Sequence, residues 1–137
     1  MIGCTVIGCT VLDACCVLAF VAIGRVTHHD GETVAGLAST SWPFLAGLAA
    51  GLAVTRAWRR PSAIVPAGLG AWLGAAAAGM LLRVLAGQGT APAFIGVALA
   101  FLGLFLLGWR AAAAGWRWLR AGRSRAGVIR RGSSTAG

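Results

Sequence analysis

The sequence predicts an all-α membrane protein: an antiparallel four-helix transmembrane bundle with both termini in the cytoplasm and a basic C-terminal tail. Three observations predict this class, namely an apolar composition, four windows long enough to cross a bilayer, and arginines clustered on one side of them. Of the 137 residues, 58% are hydrophobic and only 11% are charged, and the mean hydropathy is +0.82. A soluble domain of this length would be about a quarter charged. The chain is therefore expected to be a multi-pass membrane protein.

Crossing the hydrocarbon core takes about 20 mostly apolar residues in a helix. The sequence offers four such windows, at about 2–24, 42–58, 64–85 and 91–109. They predict one membrane domain, residues 1–110, followed by a basic interfacial segment and a disordered tail, residues 111–137. A hydroxyl residue stands ahead of a proline near the start of the last three windows, which is typical of helix N-caps: Ser41, Ser62 and Thr90.

Three arrangements are open for the start of the second window. The helix either begins at Trp42 or begins near Thr33 and carries Pro43 as a kink. In a third arrangement, residues 34–40 lie in the membrane interface as a separate turn.

The arginines predict the orientation of the bundle. Ten of them flank the windows on one side, in the loop between the second and third windows and after the fourth. Arg25 and Arg83 lie on the other side. Because arginine-rich segments stay in the cytoplasm, both termini are predicted to be cytoplasmic, in the plasma membrane of a prokaryote.

The four cysteines lie within the first sixteen residues. On one helix, Cys4 and Cys15 are about 16 Å apart along the axis and Cys9 and Cys16 about 10 Å, too far to share a metal ion or a disulfide. Free cysteine behaves as a small apolar residue. No metal site and no cofactor are expected, and a secretion signal is disfavoured because no basic residue precedes Arg25.

Asp13 lies near the middle of the first window. An ionised carboxylate there costs at least about 2.5 kcal/mol, so Asp13 must face the bundle interior, find a partner or be protonated. It is interpreted either as a hydrogen-bonded connection between helices or as a proton or ion site. Arg83 is the candidate partner, although the helical rise places the two about 10 Å apart in depth. By default Arg83 is expected to extend towards the interface.

Arg25 and His28 form a candidate polar cluster in the outer loop. His28 and His29 are adjacent, not at the spacing that puts two side chains on one helical face, so a solvated loop is favoured over a ligand site.

Small residues four apart predict close helix packing. Gly47 and Gly51 in the second window, and Gly70 and Gly74 in the third, are such pairs. They let helix backbones approach where no hydrophobic effect drives association.

The segment after residue 109 mixes arginines with tryptophans. This pattern predicts a helix that leaves the membrane and lies against anionic lipid headgroups. The residues expected to contact headgroups are Arg110, Trp116, Arg117, Trp118 and Arg120. No nucleic-acid partner is expected, because the stacking aromatics end at Trp118.

The order of these features resembles domain of unknown function 3054, a family of small bacterial and archaeal membrane proteins. The resemblance rests on many short matches in one order: Asp13, Gly24-Arg25 with His28, Trp42-Pro43-Phe44 with Gly47, Arg59-Arg60-Pro61, Pro66 with Gly68 and Trp72, Gly79 through Arg83, Gly87 through Ala91, and Gly108-Trp109-Arg110. It implies a four-span protein and supplies no activity, substrate or cofactor. It draws attention to Asp13, Arg25, His28 and Arg83.

The function expected from the sequence is that of a non-catalytic bundle or partner subunit, in a homodimer or a larger membrane complex. No nucleophile with a base and no pair of carboxylates can be assembled, so an enzyme is not expected. The alternative is a small oligomeric transporter or channel-like protein that uses Asp13 and Arg83.

Overall fold

The computed structural model describes residues 2–27 and 33–132, and side chains within 5–26 and 33–123. The described residues are helical, with turns between the helices and no strand. Four helical segments are long and apolar enough to cross a membrane: Thr5–Val26, Val34–Val54, Ile64–Leu85 and Pro92–Arg123. The all-α class with four candidate spans is thereby confirmed.

The first two spans are α1, Ile2–Thr27, and α2, Val34–Val54. Thr33 caps α2, because its side-chain oxygen accepts a hydrogen bond from the Gly36 amide at 3.1 Å. The start at Trp42 is therefore wrong and the start near Thr33 is right. Ser41 is not a cap but lies buried inside the helix.

Pro43 lies in the interior of α2. Proline has no amide hydrogen, so the carbonyl four residues earlier, that of Ser39, loses its helical partner. The side chain of Gln88 replaces this partner, with Nε2 donating to the Ser39 oxygen at 2.9 Å. A polar side chain from the turn before the fourth span thus satisfies the interruption in α2.

The third span, Ile64–Leu85, is a series of short helical segments. A 3-10 turn, Ala57–Arg59, precedes it. Two π-helical segments, Ile64–Gly68 and Gly74–Ala78, alternate with α3, Leu69–Leu73, and α4, Gly79–Leu85. At its start Val65 is extended and the Val65–Pro66 peptide bond is cis. Ser62 does not cap this span, since the first segment has no side-chain cap.

The fourth span belongs to α5, Pro92–Gly132, which runs for 41 residues. It begins two residues after Thr90, and the preceding turn contains Gly87 and Gly89 at positive φ values of 71° and 66°. These left-handed conformations cost a glycine little. The helix continues without a break beyond residue 110. Of the predicted disordered tail, Gly132 ends α5 and residues 133–137 lie outside the described part of the chain.

Phe20 is at the centre of the core. Its ring meets that of Phe44 edge to face, with centroids 5.5 Å apart, and lies 5.7 Å from Phe101 and 6.1 Å from Phe94. Edge-to-face and tilted arrangements are those that aromatic rings favour. This cluster joins α1 to α2 and α5.

The four predicted glycines lie where α2 meets the third span. A Cβ on Gly47 would stand 2.7 Å from the amide nitrogen of Gly79, and one on Gly74 would stand 2.7 Å from the Cα of Gly51. A Cβ on Gly70 would stand 2.9 Å from the Gly51 carbonyl oxygen. The two backbones are therefore in direct contact, which only glycine permits at these positions.

Candidate functional site

Asp13, on α1, is fully buried and is held by two neighbouring residues of α5. Arg110 forms a bidentate pair with it, Nη1 to Oδ1 and Nη2 to Oδ2, each at 2.7 Å. Trp109 Nε1 donates to Oδ1 at 2.9 Å. We call Asp13, Trp109 and Arg110 the Asp13 clasp, which ties the first span to the fourth.

The guanidinium of Arg110 is fixed from several directions. Nη1 also donates to the Leu106 carbonyl one turn earlier on α5, at 2.8 Å. The group lies 4.4 Å from the ring centre of Trp109, within the range of a cation–π interaction. Both charged side chains are almost completely buried, at 1% and 0% exposure. Removal of either one would leave the other as an uncompensated buried charge.

These contacts correct two expectations. Arg110 was expected among lipid headgroups, but it is fully buried, because α5 continues past it and Asp13 draws it into the bundle. Arg83 was the candidate partner of Asp13, but in the structure Asp13 pairs with Arg110.

The helix ends that the structure shows place Asp13 and Arg110 at similar depths. From Thr27, the end of α1, Asp13 lies about 21 Å down the axis, and from Pro92, the start of α5, Arg110 lies about 27 Å down. The difference is within the length of an arginine side chain. Arg83 is two residues from the end of its span, about 3 Å in depth. Because the fourth window was predicted to end at Trp109, Arg110 was placed outside the membrane span and was not considered as a partner of Asp13.

A cavity of about 250 Å³ adjoins the Asp13 clasp. Trp58 and Pro61 line it, so we call this the Trp58 end of the bundle. Cys9 also lines it and is a free thiol, as are Cys15 and Cys16. Cys4 lies outside the residues whose side chains are described.

A larger cavity, of about 420 Å³, lies at the opposite end, which we call the Thr90 end. Its walls come from all four spans and from the turn before α5. The residues that line it are Phe20, Val21, Gly24, Arg25, Thr40, Phe44, Arg83, Gln88, Gly89, Thr90, Ala91 and Phe94. It shares no residue with the cavity at the Trp58 end.

Arg83 belongs to this second cavity. Its guanidinium carbon lies 5.7 Å from the ring centre of Phe44 and 5.1 Å from that of Phe94. Nε and Nη1 are buried, and no residue of the described part of the chain accepts a hydrogen bond from them. Arg83 therefore neither pairs with Asp13 nor extends freely to the interface.

Arg25 contributes the second guanidinium of the same cavity. Its Nη1 donates to Thr40 Oγ1 at 3.0 Å, which joins the end of α1 to α2. His28, predicted to cluster with Arg25, lies outside the described residues.

The residues predicted to contact headgroups beyond Arg110 lie on the extension of α5. Trp116 and Trp118 are 58% and 76% exposed. Arg120 lies 4.9 Å from the ring centre of Trp116. Arg117 Nη1 donates to Ser62 Oγ at 3.0 Å, so the extension is tied to the loop that precedes the third span.

Metal ligands do not converge in the described part of the chain. No group of three or more His, Cys, Asp or Glu residues there could hold a metal ion.

Comparison with known proteins gives a family and no further relative. Neither the curated proteins nor the solved structures include a match to the chain. The model of the family described as "Protein of unknown function (DUF3054)" matches residues 10–113, a range that contains the Asp13 clasp and every residue that lines the cavity at the Thr90 end. The chain belongs to this family.

Proposed function

We propose that this protein is a non-catalytic subunit of a prokaryotic cell membrane: a four-span bundle that serves as a structural or partner module. The observation that carries the proposal is the complete engagement of Asp13. Its two oxygens accept three hydrogen bonds, two from Arg110 and one from Trp109. A carboxylate held in this way connects two helices and is poorly placed to exchange a proton or to bind a passing ion.

The proposed topology is antiparallel, and the order of contacts supports it. Arg25 contacts Thr40, whereas Phe20, earlier in α1, contacts Phe44, later in α2. The same reversed order relates α1 to α5, since Asp13 contacts Arg110 while Phe20 contacts Phe101. The arginine distribution then places the Trp58 end and both termini in the cytoplasm.

The extension of α5 is proposed to lie on the cytoplasmic leaflet. Its exposed tryptophans suit the interface, and its arginines suit anionic headgroups. The bond from Arg117 to Ser62 supports this placement, because it holds the start of the extension beside the arginine-bearing loop between α2 and the third span. A homodimer or a larger complex would bury the apolar surfaces that a single copy leaves exposed.

The alternative, an oligomeric transporter that uses Asp13 and Arg83 as one polar path, has less support. The two residues line separate cavities, and each has different neighbours. Val17 and Leu48, which belong to the buried core, line neither cavity.

Thiol accessibility separates the two functions. We would retain Cys9 as the sole cysteine, replace the other three with alanine, and treat membrane vesicles with a small charged thiol reagent. Ala121→Cys in a cysteine-free background, at an exposed position on α5, reports full reactivity. The structural bundle predicts that Cys9 stays unmodified while position 121 reacts. Reaction at comparable rates would establish a hydrated path to the Asp13 clasp and would favour the transporter.

A further inference from the structure

The cavity at the Thr90 end has a composition that bundle stability does not explain. Its floor is aromatic, formed by Phe20, Phe44 and Phe94, and its walls carry the guanidinium groups of Arg25 and Arg83. Arginine is costly at membrane depth unless it faces a partner. Two donors of Arg83 are buried without a described acceptor, so its position favours a bound anion.

Arg83 points to the ligand most directly. The rings of Phe44 and Phe94 bring their faces to its guanidinium, and this holds the group in place. The ring faces attract the positive charge of the guanidinium, but they do not accept hydrogen bonds from its N–H groups. Nε and Nη1 remain buried without an acceptor among the described residues. Each of these two donors can bond to an oxygen of a carboxylate or phosphate, the anionic groups that a guanidinium binds well.

The surroundings strengthen the positive potential. Arg25 is among the residues that line the cavity. None of the described lining residues is an aspartate or a glutamate. α5 begins at Pro92, between the lining residues Ala91 and Phe94, so the positive end of its dipole lies at the cavity wall. The Thr40 and Thr90 side chains add hydroxyl groups to the same wall.

We propose that this cavity binds an oxyanion, a carboxylate or a phosphate, that is carried on an apolar chain. Arg83 donates hydrogen bonds to the oxyanion, and the phenylalanine rings contact the chain. A volume of about 420 Å³ accommodates about fourteen water-sized groups, which is enough for the anionic head and a short length of chain. The ligand is thus an anionic amphiphile, either a small free acid or the head of an anionic lipid. This site goes beyond the proposed structural role and does not depend on it.

The test uses the full chain purified in a neutral detergent. Octanoate is the probe, octanol is the same chain without the charge, and inorganic phosphate is the charge without the chain. Binding is measured by calorimetry and by the rise in melting temperature, which grows with ligand concentration relative to Kd. Arg83→Gln removes the charge, and Arg120→Gln is the matched control on the exposed extension of α5.

We expect octanoate to bind wild type and Arg120→Gln equally, and Arg83→Gln at least about tenfold more weakly, because a hydrogen bond to a charged group is lost. Octanol should not bind measurably. Equal binding of octanol and octanoate, an unchanged Kd in Arg83→Gln, or no ligand-induced rise in melting temperature would each overturn the proposal. Inorganic phosphate that binds as tightly as octanoate would overturn the role of the aromatic floor. If Arg83→Gln does not fold, Arg25→Gln provides the same comparison.

The two sources of ligand are separated in nanodiscs. Stabilisation by phosphatidylglycerol relative to phosphatidylcholine, lost in Arg83→Gln, supports the site and identifies a lipid phosphate. Octanoate binding that is retained in phosphatidylcholine discs supports the site and identifies a free acid. Thiol reactivity at Cys9 is independent of these results, so this proposal and the proposed function can fail separately.

Discussion

The Asp13 clasp allows a quantitative test by a double-mutant cycle. The single changes are Asp13→Asn and Arg110→Gln, each of which keeps a polar side chain of similar size and removes one charge. Both side chains are almost completely buried, so each single variant strands one charge inside the bundle. Loss of one partner from a buried pair costs about 3–5 kcal/mol.

The double variant distinguishes a coupled pair from two independent residues. Independent effects would sum to about 6–10 kcal/mol, twice the single-variant cost. We expect the double variant to lose no more than either single variant, since the second change removes the charge that the first one stranded. The coupling energy should then be about 3 kcal/mol or more, at the top of the usual range for contacting residues.

The assay is reversible denaturant unfolding in mixed detergent micelles, with tryptophan fluorescence as the signal. Arg120→Gln, which removes an arginine from the exposed surface of the same helix, is the control and should change stability by less than about 0.5 kcal/mol. Additive losses in the double variant would refute the coupling. An Asp13→Asn variant as stable as wild type would contradict the structural role of the carboxylate and would favour the view that it is kept at a cost to stability.

Three further predictions concern the other contacts of the bundle. Trp109→Phe removes one of the three hydrogen bonds to Asp13 and should reduce the unfolding free energy by about 1 kcal/mol, measured in the same assay; no change would show that Arg110 alone holds the carboxylate. Gly47→Ala places a Cβ 2.7 Å from the Gly79 nitrogen and should lower stability by about 1–3 kcal/mol, whereas Gly108→Ala, which meets nothing within 4 Å, should not; equal effects would refute the close α2 contact. Gln88→Ala should lower the melting temperature of wild type but not that of Pro43→Ala, because an amide at position 43 can donate to the Ser39 carbonyl; the same loss in both backgrounds would contradict the proline explanation.

The sequence indicated the four spans because their cause is local. Hydropathy over about 20 residues decides whether a segment can cross a bilayer, and this does not depend on the neighbouring helices. The glycine pairs were also readable, since the spacing of Gly47 and Gly51 alone places both on one face of α2. The start of α2 could not be decided from the sequence, because Thr33 and Ser41 are both suitable N-cap residues. Only the backbone structure shows which amides lack a partner within the helix.

The partner of Asp13 could not be obtained in this way. The sequence indicated that Asp13 must have a partner or be protonated, because an unpaired ionised carboxylate is costly at this depth in a bilayer. Which arginine pairs with Asp13 depends on how far α5 continues and on how the helices align in depth. Arg83 and Arg110 are chemically equivalent in the sequence.

What the sequence determined by itself was therefore the number of spans, their packing faces and the requirement that buried charges be satisfied. The tertiary structure alone decided how each charge is satisfied: Arg110 lies against a carboxylate and Arg83 against two phenyl rings in a cavity. The physical reason is that insertion into a membrane is a property of each segment. The pairing of charges is a property of atoms about 3 Å apart on segments distant in the chain.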